Sequence, residues 1–166
     1  MVILFTTVLA LSGCAFQNLG KFDENQSSPN SESENTPLPR TYTIGDTIST
    51  ENFAITLNGS RSSSAGALGL TPDMGKFLIL DLTIQNKSDE SNSISSLLMF
   101  DLQGSDSKRY DVALFADVET TMDGSVNPGG KLRGEIAFDV PDLEFYVLSY
   151  RNDILADPVE FKIPNN

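Results

Sequence analysis

Along residues 40–166 apolar and polar side chains alternate with a period of two, the pattern of strands buried on one side. Phe53, Ile55 and Leu57 alternate with Ala54 and Thr56, and Asn58-Gly59 then gives a turn signal. Residues 61–75 are rich in Ser and Gly, contain Pro72, and read as a loop. The longest alternation runs from Lys76 to Asn86, with Leu78, Leu80, Leu82 and Ile84 on one face. Its other face starts with Phe77 and Ile79 before turning polar, which predicts a central strand covered there on its second side. A polar turn follows, then the run 97–102, with Leu98, Phe100 and Leu102 expected inward. Residues 104–107 predict a tight turn before Tyr110. Residues 111–127 fit either a short helical turn or an irregular strand.

Pro128-Gly129-Gly130 is a stop signal, and beyond it the alternation is clean. Leu132, Gly134, Ile136, Phe138 and Val140 are expected inward, and Lys131, Arg133, Glu135 and Asp139 outward. Two further strands are predicted over 145–150 and 159–163. Gly134, in the middle of a strand, marks a place where another backbone or a large ring comes close. Asn86, at a strand end, is suited to bonding the turn backbone. Seven or eight short strands with turn signals between them predict an all-β, Ig-like antiparallel β-sandwich. The Cys…Trp…Cys core of antibody domains is missing, so the likeness is architectural.

The N-terminal residues follow a different pattern. Residues 2–11 form a nearly continuous apolar run, too short for a bilayer span of about 20 residues but long enough for the apolar region of a signal peptide. The run ends in Leu11-Ser12-Gly13-Cys14. This resembles the lipobox of bacterial lipoproteins, which implies a diacylglycerol on the Cys14 thiol and cleavage just before it. No Lys or Arg precedes the apolar run; either the true start lies elsewhere or the Met1 amine supplies the positive charge. From Asp23 to Pro39 only Leu38 is apolar, so this stretch cannot offset its ordering entropy by burial. The organisation expected is a signal peptide (1–13), a lipidated cysteine with a polar tether (14–39) and one sandwich domain (40–166). A coil of that tether's length would hold the domain about 25–30 Å from a membrane.

Composition narrows the chemistry. The 166 residues carry a net charge of −12, which disfavours binding to nucleic-acid phosphates. There is no His, so Ser-His-Asp and Cys-His catalysis are excluded within this chain. A single Cys excludes an intrachain disulfide, so the domain depends on its own core.

Two stretches carry a family resemblance. Residues 75–88 read Gly-Lys, an apolar strand, then Asn-Lys; residues 128–141 read Pro-Gly-Gly-Lys-Leu-Arg-Gly-Glu-Ile-Ala-Phe-Asp-Val-Pro. Together they resemble a family of uncharacterised Ig-like domains in bacterial lipoproteins, some of them mislabelled after the telomeric repeat-binding factor. They are also similar to mycobacterial immunogenic secreted proteins of Ig-like fold. The resemblance covers about residues 45–163 and implies a fold and an extracytoplasmic setting, with no catalytic residues to carry over.

Two roles are expected from this reading. The first is a non-enzymatic module, anchored by lipid to the extracytoplasmic face of a bacterial membrane, that meets a surface protein or a cell-wall component. Phe77, Ile79 and Met99 are its candidate partner surface, unless loops 61–75 and 111–127 cover that face. The second is a receptor for Ca²⁺ or a small ligand. Asp101, Asp106 and Asp111, spaced by five around a predicted hairpin, are its candidate oxygen ligands.

Overall fold

The computed structural model describes residues 41–152 and 157–165. Among the described residues ten strands follow in chain order: β1 (Thr47–Ser49), β2 (Phe53–Ser63), β3 (Lys76–Asn86), β4 (Asn92–Ile94), β5 (Phe100–Gly104), β6 (Arg109–Tyr110), β7 (Gly124–Val126), β8 (Lys131–Val140), β9 (Phe145–Tyr150) and β10 (Val159–Pro164). One antiparallel sheet has the order β1-β2-β3-β8 and a second the order β10-β9-β5-β6, while β4 and β7 form a small ribbon. The two four-stranded sheets form a β-sandwich. The count exceeds seven or eight because β1, β4, β6 and β7 have only two or three residues each, too few to show an alternation.

The inward faces follow the period-two pattern. Ile55, Leu57, Leu80, Leu82, Ile84, Phe138, Leu148 and Phe161 are fully buried in one core between the sheets. Each such side chain contributes about 1.5–3 kcal/mol relative to exposure.

Three stretches fold otherwise than the pattern predicts, and the first is 61–63, which extends β2 so that the loop begins at 64. Asn58-Gly59 is not a turn: β2 runs through it with a register shift between Leu57 and Gly59. The Asn58 amide donates across the sheet to Asp81 Oδ1 (3.0 Å) and Thr83 Oγ1 (2.9 Å), so the bulged residue is held inside the strand. The run 97–102 is not all strand either. Asp123 accepts from Ser96 N–H (2.8 Å) and Ser96 Oγ (2.9 Å), fixing one helical turn over Ser96–Met99. Leu98 therefore points to solvent, and the strand begins at Phe100.

Within segment 111–127 only Gly124–Val126 is strand (β7), and the residues before it form an irregular cover. Ala113 N–H donates to Ala137 O (2.7 Å), Glu135 N–H to Thr120 O (2.6 Å) and Met122 N–H to Glu135 O (3.3 Å). These bonds occupy the otherwise open edge of β8. Gly134 makes the approach possible, since a Cβ there would lie 2.6 Å from Thr121 O and 2.9 Å from Met122 Cα. On β10, an edge strand of the second sheet, Lys162 N–H donates to Tyr42 O (2.7 Å), which covers part of that edge.

Two buried tyrosines make opposite predictions. Tyr146 Oη donates to Pro141 O (2.6 Å) and accepts from Leu143 N–H (3.2 Å), tying the β8–β9 corner together. Tyr150 packs against Phe53 and Phe100, and its hydroxyl has no partner among the described residues. Burial pushes its phenol well above the ordinary value. Tyr146→Phe should cost about 1–2 kcal/mol, whereas Tyr150→Phe should be neutral or stabilising. Paired urea titrations check this, and a costly Tyr150→Phe would contradict it.

Candidate functional site

The outer face of β3 decides where a binding surface can lie. Phe77 and Ile79 form a second, smaller apolar cluster with Ala116 and Ala137, and Ala113 and Val118 pack against it. Both β3 side chains are buried, so they are not a free partner surface. Loop 64–75 and segment 111–118 cover them, an alternative that the sequence left open. Met99 is half-buried against the main core.

The covering loops carry their own exposed apolar side chains. Leu68 is 96%, Leu114 65% and Phe115 64% exposed, and Leu70 and Met74 are about half-exposed. Between the two loops lies an open groove of about 830 Å³. Leu70 and Met74 line it from one side, Leu114 and Phe115 from the other, with Phe77 and Tyr110 also lining it. Apolar side chains gathered this way on a water-facing surface make the groove the candidate site.

The groove is held by specific bonds. Ala67 N–H donates to Phe115 O (2.8 Å) and Gly66 N–H to Leu70 O (2.7 Å), joining one loop to the other and closing the turn. A Cβ on Gly66 would meet Phe115 O at 2.6 Å and the Phe77 ring at 2.9 Å, so only glycine fits between the walls. Asp139, on the outer face of β8, accepts from Asp73 N–H (2.7 Å) and Met74 N–H (3.0 Å) and fixes the near wall. Leu68 sits at the tip of the 3-10 turn Ala67–Gly69 with a left-handed backbone (φ 60°). Neither burial nor backbone preference accounts for a leucine there.

The acidic candidates are placed as follows. Asp101 lies 3.7 Å from Arg109 across the β5–β6 hairpin. Asp106 accepts from Tyr110 Oη (2.9 Å) and from Lys108 N–H (3.2 Å) inside the same hairpin. Burial, with the Asp106 bond adding to it, pushes the Tyr110 phenol up to about 12. Asp111 lines the groove. Among the described residues no three acidic side chains converge as a metal-binding group. Cys14 and the lipobox residues Leu11, Ser12 and Gly13 lie outside the described residues, as does the 14–39 tether.

Beside the groove the outer face of the first sheet is an ion-pair grid. Arg61 donates to both Glu135 oxygens (3.2 and 3.0 Å), and Arg133 to both Asp81 oxygens (3.1 and 2.6 Å). The Arg61 hydrogen bond holds the Glu135 carboxyl below the usual carboxylate range, and Arg133 does the same for Asp81. Every member has an opposite charge, so this face reads as structural, each exposed pair contributing about 0–1 kcal/mol.

The exposed apolar residues of the two covering loops, all but Leu68 lining the groove, belong to no period in the sequence. Leu68, Leu70, Met74, Leu114 and Phe115 lie in irregular segments. The available signal was large apolar side chains within stretches otherwise rich in Gly, Ser and Asp.

The family model "Domain of unknown function (DUF4352)" matches residues 42–160, from the segment before β1 into β10. The chain belongs to the DUF4352 family. Among solved structures, the yjhA protein of Bacillus subtilis is similar with a TM-score of 0.58 at 19% identity, covering 76% of this chain and 100% of that one. The ycdA protein of Bacillus subtilis, described as a candidate lipoprotein, gives a TM-score of 0.62 at 17% identity, covering 76% of this chain but only 39% of its own. The secreted protein MPT63 of Mycobacterium tuberculosis gives 0.54 at 16% identity, covering 78% of this chain and 99% of that one. At these identities the likeness is one of fold: this DUF4352 domain is a β-sandwich of the kind found in secreted and lipoprotein-like chains. No curated protein matches the sequence.

Proposed function

We propose that the chain is a lipid-anchored, extracytoplasmic binding module without catalytic activity, and that its partner docks in the groove between loops 64–75 and 111–118. The observation that carries this is the exposed set Leu68, Leu70, Met74, Leu114 and Phe115 on loops bonded to each other and to the sandwich. Loops positioned by a rigid β-scaffold are a common way to present a binding surface. Lipid anchoring is supported by the Leu11-Ser12-Gly13-Cys14 pattern after an apolar run and before a polar tether. The extracytoplasmic setting is supported by the fold's occurrence in a secreted protein and a candidate lipoprotein. A diacylglycerol matters here because one acyl chain alone binds membranes only marginally.

Two measurements test the proposal. Cys14→Ser should release the chain from membranes and abolish labelling by a clickable fatty acid; continued labelling would defeat the anchor. Leu114→Ser with Phe115→Ser should leave stability within about 1 kcal/mol, because both side chains are exposed. The same pair should eliminate the partner recovered by surface cross-linking in native cells. Leu97→Ser with Leu98→Ser, on the separate helical turn, should not. Equal recovery from both variants would remove the groove from the account.

A further inference from the structure

The charges around the groove say what kind of partner it fits. Asp73, Asp111 and Asp139 line it together with the apolar walls. None of the three has a basic side chain within ion-pair distance among the described residues; the ion pairs there use Asp81, Asp101, Asp106, Glu135 and Asp142 instead. Among the described residues the one basic side chain lining the groove, Arg109, lies 3.7 Å from Asp101. The groove is thus an apolar trough with uncompensated negative charge at its margin, on a chain of net charge −12. We infer that its occupant is a cationic amphipathic peptide segment, whose apolar side chains enter between Met74 and Leu114 while its lysines or arginines meet Asp73 and Asp111. The inference rests on the groove's being the binding surface, as proposed above.

Charge and shape both favour this occupant over a lipid surface. An acidic domain is repelled by the anionic lipids of a bilayer, and it attracts cationic ligands from solution. A trough walled on two sides receives projecting side chains, and a groove of about 830 Å³ is within the range of roughly 300–1,000 Å³ that small-ligand sites use. The three carboxylates divide into two duties. Asp139 is engaged by the backbone N–H groups of Asp73 and Met74 and holds the wall in place. Asp73 and Asp111 have no side-chain hydrogen bonds among the described residues and are the groups left for a ligand's charge.

The test uses the full chain and three labelled synthetic peptides of equal length, with alternating Leu/Lys, Leu/Glu and Ser/Lys, followed by fluorescence anisotropy. The Leu/Lys peptide should bind, and the other two should bind at least about tenfold more weakly. Leu114→Ser with Phe115→Ser should weaken the Leu/Lys peptide about tenfold or more. Asp73→Asn with Asp111→Asn should weaken it about threefold and flatten its dependence on salt. Leu97→Ser with Leu98→Ser should change nothing. Equal binding of the Leu/Glu peptide, indifference to the groove variants, or no binding of any peptide would overturn the inference. So would co-flotation with phosphatidylcholine vesicles that is lost in the Leu114/Phe115 variant, which would make lipid the occupant. If no peptide binds while cross-linking in cells still depends on Leu114 and Phe115, only the cationic assignment falls. If that dependence is also lost, the binding-module reading falls with it.

Discussion

Replacing Asn86 with aspartate should destabilise the domain by about 3 kcal/mol or more at neutral pH. Asn86 is fully buried at the end of β3. Its amide donates to Glu90 O (2.6 Å) and Val126 O (2.9 Å), and its Oδ1 accepts from Ser88 N–H (3.0 Å), Ser88 Oγ (2.8 Å) and Asn92 Nδ2 (3.3 Å). Its own N–H and C=O close on Gly130 and Gly129 at 3.0 Å each. The Asn86 side chain thus joins the turn after β3 to the strands β4 and β7, while its backbone closes the turn before β8. Aspartate keeps the shape but turns two donors into a charged acceptor facing two carbonyl oxygens. The fold would raise the new carboxyl's pKa, so the folded state gains a proton that the unfolded chain releases. The deficit should therefore be smallest at acid pH and grow as pH rises from about 4 to 7. Urea titrations at both ends of that range read it directly. A deficit below about 1 kcal/mol at neutral pH would mean that this network does not form.

Gly134→Ala should cost about 2–4 kcal/mol by displacing backbone. The new methyl would lie 2.6 Å from Thr121 O and 2.9 Å from Met122 Cα, atoms that cannot rotate away as a side-chain tip can. Segment 119–122 would have to move, breaking the bonds from Glu135 N–H to Thr120 O and from Met122 N–H to Glu135 O. That would pull the fully buried Met122 from the core and open the β8 edge to pairing with other chains. The variant should melt earlier, exchange the Glu135 amide proton faster and associate at high concentration. A wild-type melting curve would show that the cover is not seated against β8.

Asn86 and Gly134 are both legible in the sequence, because each breaks its surroundings in a way that has few physical explanations. A polar residue at the end of the longest apolar strand needs internal partners. A glycine in a clean alternation needs a close neighbour. The spans of β3 and β8 were legible for a related reason, since both are long enough for the period to show. What the pattern could not carry was set by residues distant in sequence. Asp123 turns Ser96–Met99 into a helical turn, and Asp81 with Thr83 keeps Asn58 inside β2. The fate of Phe77 and Ile79 depended on whether two irregular segments would fold over them. Once those segments did so, the exposed apolar surface moved from the strand to the cover, where Leu114 and Phe115 follow no repeat.

Site-specific photo-cross-linking in living native cells tests the central claim most directly. A benzophenone amino acid placed at Phe115 should give one discrete adduct, and the same group at Leu98 should give none, although both positions are exposed. Matching patterns from the two positions, or no adduct from Phe115, would contradict a binding groove between the two loops.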